Sequence, residues 1–112
     1  MSLIRYLIEQ DIKLKGYKMI EELKVKLENG IVEFTFKKQN GEIRNARGTR
    51  CFNEKSIVGE NFIKPNGNGS EKTGSLSYWD LDKDAWRSLN TNALISIDSY
   101  WDKVELLGEG LF

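Results

Sequence analysis

The sequence predicts a mainly β, α+β domain: one or two N-terminal helices followed by five short antiparallel strands closing into a small barrel. Three observations predict it. The apolar residues change spacing near residue 31, from the three-and-four of a helix to the two of a strand. Asn40-Gly41 and Asp82-Lys83-Asp84 each stand between alternating stretches, where hairpin turns stand. A chain of 112 residues has enough material for one modest core. A barrel closes such a core with few residues and removes its edges.

In chain order, residues 2–15 carry Leu3, Ile4, Leu7, Ile8, Ile12 and Leu14 at roughly helical spacing, with Gly16 as a stop. Residues 1–18 read as an appended helical arm, and 19–112 as the single domain. "MIEELKVKLENG" admits two patterns. Ile20, Leu23 and Leu27 fit a helix face, while Leu23, Val25 and Leu27 fit strand alternation. Early glutamates and a closing Asn29-Gly30 favour the helix. Residues 31–51 then form a strand, the Asn-Gly turn and a second strand. Val32, Phe34 and Phe36 share one face. On the second strand Arg44, Ala46, Gly48 and Arg50 share a face opposite Ile43, Asn45, Arg47, Thr49 and Cys51. Neither face is cleanly apolar, which places this strand at an edge or beside a site, and Gly48 marks a bulge or bend. Residues 59–75, with "PNGNGS" at their centre, form a long Gly-rich loop. "SLSYWDL" and "AWRSLN" make a second hairpin. "TNALISID" is a fifth strand alternating through Ala93, Ile95 and Ile97, and the tail from Ser99 is a short strand or a turn of helix, with Tyr100 and Trp101 capping a barrel end. Five short strands of this kind close most naturally as an SH3- or Sm-type barrel.

Composition narrows the function. The 17 basic and 17 acidic residues balance, unlike the wholly basic domains that coat nucleic acid. The balance is uneven along the chain, with a net of +4 over residues 35–55 and −4 over 79–110. A dipolar molecule of this kind can bind an anion locally. There is no histidine and a single cysteine, Cys51. The commonest general base and metal ligand are therefore missing, a zinc site is improbable on donor grounds, and a reducing, cytoplasmic location is expected. The N-terminal stretch is too charged for a signal peptide or a span, so no membrane partner is expected. No phosphate loop, nucleophile elbow or paired acid and base appears, and the sequence predicts a protein that is not an enzyme and uses no cofactor. Asp80, Asp82 and Asp84 read as a solvated turn rather than a calcium loop, because the loop glycine and distal glutamate are missing.

Two groups remain as candidate sites. The basic hairpin offers Lys37, Arg44, Arg47 and Arg50, with Lys38 beside them, as phosphate ligands; a solvated strand neutralised by Glu33, Glu42 and Glu54 is the plain alternative. Small Ala46 and Gly48 between Arg44 and Arg50 leave room for a ligand to approach the backbone. The aromatic hairpin offers Tyr78 and Trp86 as outward stacking platforms and Arg87 at the barrel mouth, if Leu81 and Leu89 point inward and take Trp79 with them.

The line "FTFKKQNGEIRNARGT", then after a variable loop "YWDLDKDAWRSLNTNALISI", resembles a family of small phage and bacterial proteins described as WYL-like, with an Sm-like SH3 β-barrel fold. The positions that carry the resemblance are Phe36, Lys37, Lys38, Asn40, Gly41, Ile43, Arg44, Gly48, Thr49, Asp80, Leu81, Asp82, Lys83, Trp86, Arg87 and Ser88, with Ile95 and Ile97. They span roughly residues 31–98, and the segment between the two hairpins departs from the family's usual shorter one. The resemblance implies fold more than activity. The WYL-type fold is regarded as a sensor of nucleic acid or nucleotides, so it implies a regulatory binder. With the residues, it leads to the expectation of an anionic partner, nucleic acid or nucleotide-like, bound by Lys37, Arg44, Arg47, Arg50 and Arg87 and stacked on Tyr78 or Trp86. The alternative is a phage protein that binds and modulates a host protein of a defence or transcription complex, which the acidic tail and long loop would suit.

Overall fold

The computed structural model describes residues 3–64 and 74–108. The centre of the Gly-rich loop, including "PNGNGS", lies outside the described residues, as do the side chains of Ile8, Ile12 and Leu14.

A single helix, α1, runs from Leu3 to Asn29. It passes through Gly16 without a break, so Gly16 is not the stop expected, and of the one or two N-terminal helices expected the chain makes one. Glycine costs only about 1 kcal/mol inside a helix. The C-terminal half is fixed by packing. Leu23 and Leu27 are fully buried and Met19 and Ile20 pack beside them, whereas Val25 is 55% exposed. The helical spacing of four therefore wins over the alternation of two. Lys26 pairs with Glu22 one turn earlier at 2.8 Å, and the Asn29 amide donates to the Val25 carbonyl at 2.7 Å.

The chain then enters β1 (Gly30–Lys37) and returns as β2 (Ile43–Thr49) in unbroken antiparallel register, from Ile31 opposite Thr49 to Lys37 opposite Ile43. Gly30 is needed at the junction, because a Cβ there would lie 1.9 Å from the Trp101 carbonyl oxygen. The turn is wider than a two-residue Asn-Gly turn. Lys38 N–H donates to Glu42 O at 2.7 Å and Gly41 N–H to Lys38 O at 2.9 Å. Only Gly41 has a positive φ, 89°, the pattern of a three-residue hairpin loop closed by a glycine. A short helix, α2 (Lys55–Val58), follows. Then come β3 (Ser75–Asp80), β4 (Ala85–Asn90), a 3-10 turn at Thr91–Ala93, β5 (Leu94–Asp102) and a short helix, α3 (Lys103–Leu107), capped by the Asp102 carboxylate on Val104 N–H.

The strands form one five-stranded antiparallel sheet in the order β4-β3-β2-β1-β5. β2 lies inside the sheet, not at its edge. The predicted closure into a full barrel is not made: among the described residues β4 and β5 remain the two edges. The 3-10 turn separates them, and α1 lays Leu23 and Leu27 against the concave face instead. That face holds the main core of Val32, Phe34, Phe36, Ala46, Leu76, Tyr78, Leu89 and Leu94.

Two features set the faces differently from simple alternation. β5 pairs with β1 through register shifts that leave Ile95 and Asp98 as extra residues. Leu94, Ile97 and Tyr100 therefore meet the core at spacing three, and Ile95, expected inside, is 48% exposed. Leu81 belongs to the turn after β3, so it says nothing about that strand's faces. The register pairs Leu76 with Leu89 and Tyr78 with Arg87, which puts Tyr78 in the core and sends Trp79 and Trp86 to the opposite face.

On that opposite face Trp79, Trp86, Phe52 and Phe62 pack edge to face or stacked, with ring centroids 5.0–5.9 Å apart. Ile31, Cys51 and Ile57 form a second small cluster with Leu81 and Trp101. Thr49 ties the layers together. Its buried hydroxyl donates to Gly30 O at 2.6 Å and accepts from Cys51 N–H at 3.0 Å. Arg50 N–H donates to Leu27 O at the end of α1 at 2.7 Å.

Candidate anion-binding site

An opening at the concave side lies between the β1–β2 turn and the end of the β3–β4 hairpin. It is a concavity of about 380 Å³. β1 and its turn supply Phe36, Lys37, Lys38, Gln39 and Asn40. β2 supplies Arg44, and the second hairpin supplies Tyr78, Arg87, Ser88 and Asn90. Four cations, three side-chain amides and two hydroxyls thus line one recess over two aromatic rings, with no carboxylate in the lining.

Each cation is held differently. Lys37 extends from the last residue of β1 and is exposed. Lys38 pairs with Glu42 across the turn at 3.5 Å, with both side chains largely in water, so the pair neutralises little. Arg87 is exposed on β4, opposite Tyr78. Among the described residues neither Lys37 nor Arg87 has a carboxylate within ion-pair distance. Arg44 is anchored. It forms an ion pair with Asp80, whose side chain has no solvent exposure, and its guanidinium carbon lies 6.0 Å from the centre of the Phe36 ring. The other Asp80 oxygen accepts from the N–H groups of Asp82 and Lys83 at 3.0 and 3.1 Å. The aspartate therefore shapes the turn and fixes the arginine at once.

Asp80 is thus not the solvated turn residue that the Asp80-Asp82-Asp84 run suggested. The sequence signal that could have found it is an aspartate two residues before a turn, where its carboxylate can take the turn's free N–H groups.

Tyr78 is the most deeply buried residue of the lining, 1% exposed, and not an outward platform. Burial, as the largest effect, pushes its phenol up to about 12, with Arg44 and Arg87 pulling the other way and Asp80 adding to the rise. Its ring occupies the space over Gly48, where a Cβ would lie 2.6 Å from the ring. The room that the small residues of β2 leave is filled by the protein's own tyrosine rather than by a ligand. Gly48 accordingly marks a close contact and no bulge, since the β1–β2 register is continuous there.

The recess gathers Lys37, Arg44, Tyr78 and Arg87 of the residues predicted from sequence. It does not gather the others. Arg50 donates to the Ser77 carbonyl and covers the Phe52 ring at 5.6 Å, so Arg44 and Arg50 serve different neighbours despite sharing strand parity. Arg47 lies 5.8 Å from the centre of the Trp101 ring. Trp86 is packed among Phe52, Phe62 and Trp79, and its indole N–H donates to Ile63 O at 2.8 Å. Lys38, part of the basic hairpin read from the sequence, lines the recess too; Phe36, Gln39, Asn40, Ser88 and Asn90 complete it and were not singled out as ligands from the sequence. Their roles depend on the two hairpin ends meeting, which spacing along the chain does not report.

Among the described residues no helix is long and apolar enough to cross a membrane. The sequence model of the WYL_2 family, described as an Sm-like SH3 β-barrel fold, matches residues 20–95. No curated protein and no solved structure shows significant similarity to the chain.

Proposed function

Since the chain belongs to the WYL_2 family of Sm-like SH3 β-barrel fold, which fixes its architecture but not its ligand, we propose that it is a non-enzymatic module that binds a nucleic acid or nucleotide in the recess between its two hairpins. The observation that carries this reading is the convergence of Lys37, Lys38, Arg44 and Arg87 on one concave surface with no carboxylate in its wall. Guanidinium and ammonium groups supply charge-assisted bonds to phosphate oxygens. Gln39, Asn40, Ser88 and Asn90 offer the neutral donors and acceptors that a sugar or base edge needs.

Binding without catalysis is supported by the character of the lining. Burial pushes the Tyr78 phenol up to about 12, so it keeps its proton at neutral pH. The wall offers donors and charge rather than a base.

The test is a titration of a short single-stranded oligonucleotide at several salt concentrations. Affinity should fall steeply with salt, because each phosphate neutralised releases counterions. Removing Lys37 or Arg87 should reduce the slope by about one unit each. No binding of either the oligonucleotide or a free nucleotide at low salt would remove the proposal and favour a protein partner instead.

A further inference from the structure

Among the described residues of the wall, Tyr78 is the one with a buried side-chain polar atom left over. Its hydroxyl oxygen is buried and has no hydrogen-bond partner among the described residues. Folded proteins rarely leave such a group unpaired, and an exception calls for a specific cause. Here the hydroxyl belongs to a recess whose other polar groups are four cations, three side-chain amides and the Ser88 hydroxyl, with no carboxylate among them. An acceptor oxygen entering the recess would satisfy it, and a phenol held protonated is a donor throughout the neutral range. Contact requires side-chain rearrangement at the wall. Arg87, the exposed cross-strand partner of Tyr78, is free to supply it on the fast timescale of surface rotamers.

The charge of the site adds a second constraint. Four cations line the recess, and two of them are paired with carboxylates, Lys38 with Glu42 and Arg44 with Asp80. Lys37 and Arg87 keep their charge whole and the exposed Lys38–Glu42 pair cancels little, so at least two positive charges remain. A phosphodiester carries one negative charge, while a phosphate monoester carries close to two at neutral pH. Depth points the same way. An interior phosphodiester is flanked by a sugar on each side and needs room on both to approach the buried Tyr78, whereas a terminal phosphate leads the way in with one side free.

Resting on the binding role given above, we propose that this recess selects a phosphate monoester, the terminal phosphate of a free nucleotide or of a strand end, over the bridging phosphodiester of a strand interior, and that the Tyr78 hydroxyl is one of its donors.

The experiment is calorimetric titration of the full chain near neutral pH and low salt with inorganic phosphate, adenosine 5′-monophosphate and the methyl ester of that nucleotide. Two oligonucleotides of one sequence, with and without a 5′-phosphate, complete the set. The monoester should bind about tenfold or more tighter than its methyl ester. Preference for the phosphorylated oligonucleotide would identify a strand end as a source the site accepts, while its absence beside tight nucleotide binding would identify the free nucleotide. In Tyr78→Phe, which keeps the ring over Gly48, the monoester should lose about tenfold and the methyl ester little. Equal binding of monoester and methyl ester would overturn the inference and leave anion binding standing. A preserved preference in Tyr78→Phe would overturn the role of the hydroxyl. If neither the nucleotides nor the oligonucleotides bind, the inference and the reading beneath it both fail.

Discussion

Asp80 and Arg44 decide whether the recess keeps its shape. A fully buried carboxylate is tolerable only while the guanidinium faces it, because removing one partner of a buried pair leaves an uncompensated charge. Arg44→Ala should therefore cost about 3 kcal/mol or more in urea unfolding at neutral pH. Adding Asp80→Asn should recover much of that loss; additive losses in the double variant would show that the two residues are not coupled. This also explains why Arg44 and Arg50 are poor probes of binding, although their parity on the strand suggested them: each holds a neighbour in place, Asp80 in one case and Phe52 with the Ser77 carbonyl in the other. Gly48 belongs to the same scale. Gly48→Ala should destabilise by roughly 1–3 kcal/mol, since the new methyl group meets the Tyr78 ring rather than open space. An unchanged melting temperature would mean the ring has somewhere to go. Nothing local to "NARGT" says that a tyrosine thirty positions on will lie over the glycine, which is why the small residues read as space for a ligand.

Among the elements, α1 and β5 are the informative ones. The C-terminal half of α1 was legible because Leu23 and Leu27 repeat at four and Val25 can be left outside. β5 was misread because its two extra residues lie opposite β1, and register shifts are set by the partner strand rather than by the strand itself. One of the extra residues, Asp98, has a measurable consequence. Its carboxylate accepts from Thr35 at 2.6 Å, Ser96 at 2.7 Å and Asn45 at 3.0 Å, and these bonds, with Thr35 the largest effect, hold its pKa below the usual carboxylate value. A depressed pKa contributes stability that is present above the unfolded-state value, about 4 for aspartate, and lost as pH falls through the folded one. Asp98→Asn should therefore lose less stability than the parent between neutral pH and about pH 3. Identical acid profiles would show that the three bonds do not favour the ionised form. Thr49→Val is a companion test of the junction between helix and sheet. It keeps the volume but leaves the Gly30 carbonyl and Cys51 N–H without their partner, and should cost about 1–3 kcal/mol.

The whole molecule is longer than its sheet requires. Its radius of gyration is 16.0 Å over extents of 54 × 35 × 28 Å, against about 13 Å for a compact chain of this size. α1 alone, 27 residues long, spans about 40 Å at about 1.5 Å per residue; its first turns carry Leu3, Ile4 and Leu7 exposed at 71%, 71% and 56%, while the family match begins only at residue 20. Deleting residues 1–18 should leave a cooperatively folding sheet, because Met19, Ile20, Leu23 and Leu27 remain to cover it; a broad, uncooperative melt would contradict that. At this scale the sequence was most readable. Hairpin turns, alternation and strand count led to the right class, and the family positions include all four of the cations in the recess. Closure and the meeting of the two hairpin ends were not readable, since both depend on how far the sheet bends around α1.

The central claim is that binding follows the concave placement of charge and not charge as such. Two variants with equal charge loss test it most directly: Lys37→Gln with Arg87→Gln inside the recess, and Arg47→Gln with Lys55→Gln outside it. Folding of each is first verified by circular dichroism. Titrated with the same 5′-phosphorylated oligonucleotide at low salt, the first pair should lose at least about tenfold in affinity, more than the second by a wide margin. Equal losses in the two pairs would contradict the account, because the recess would then be no more than part of a diffuse basic surface.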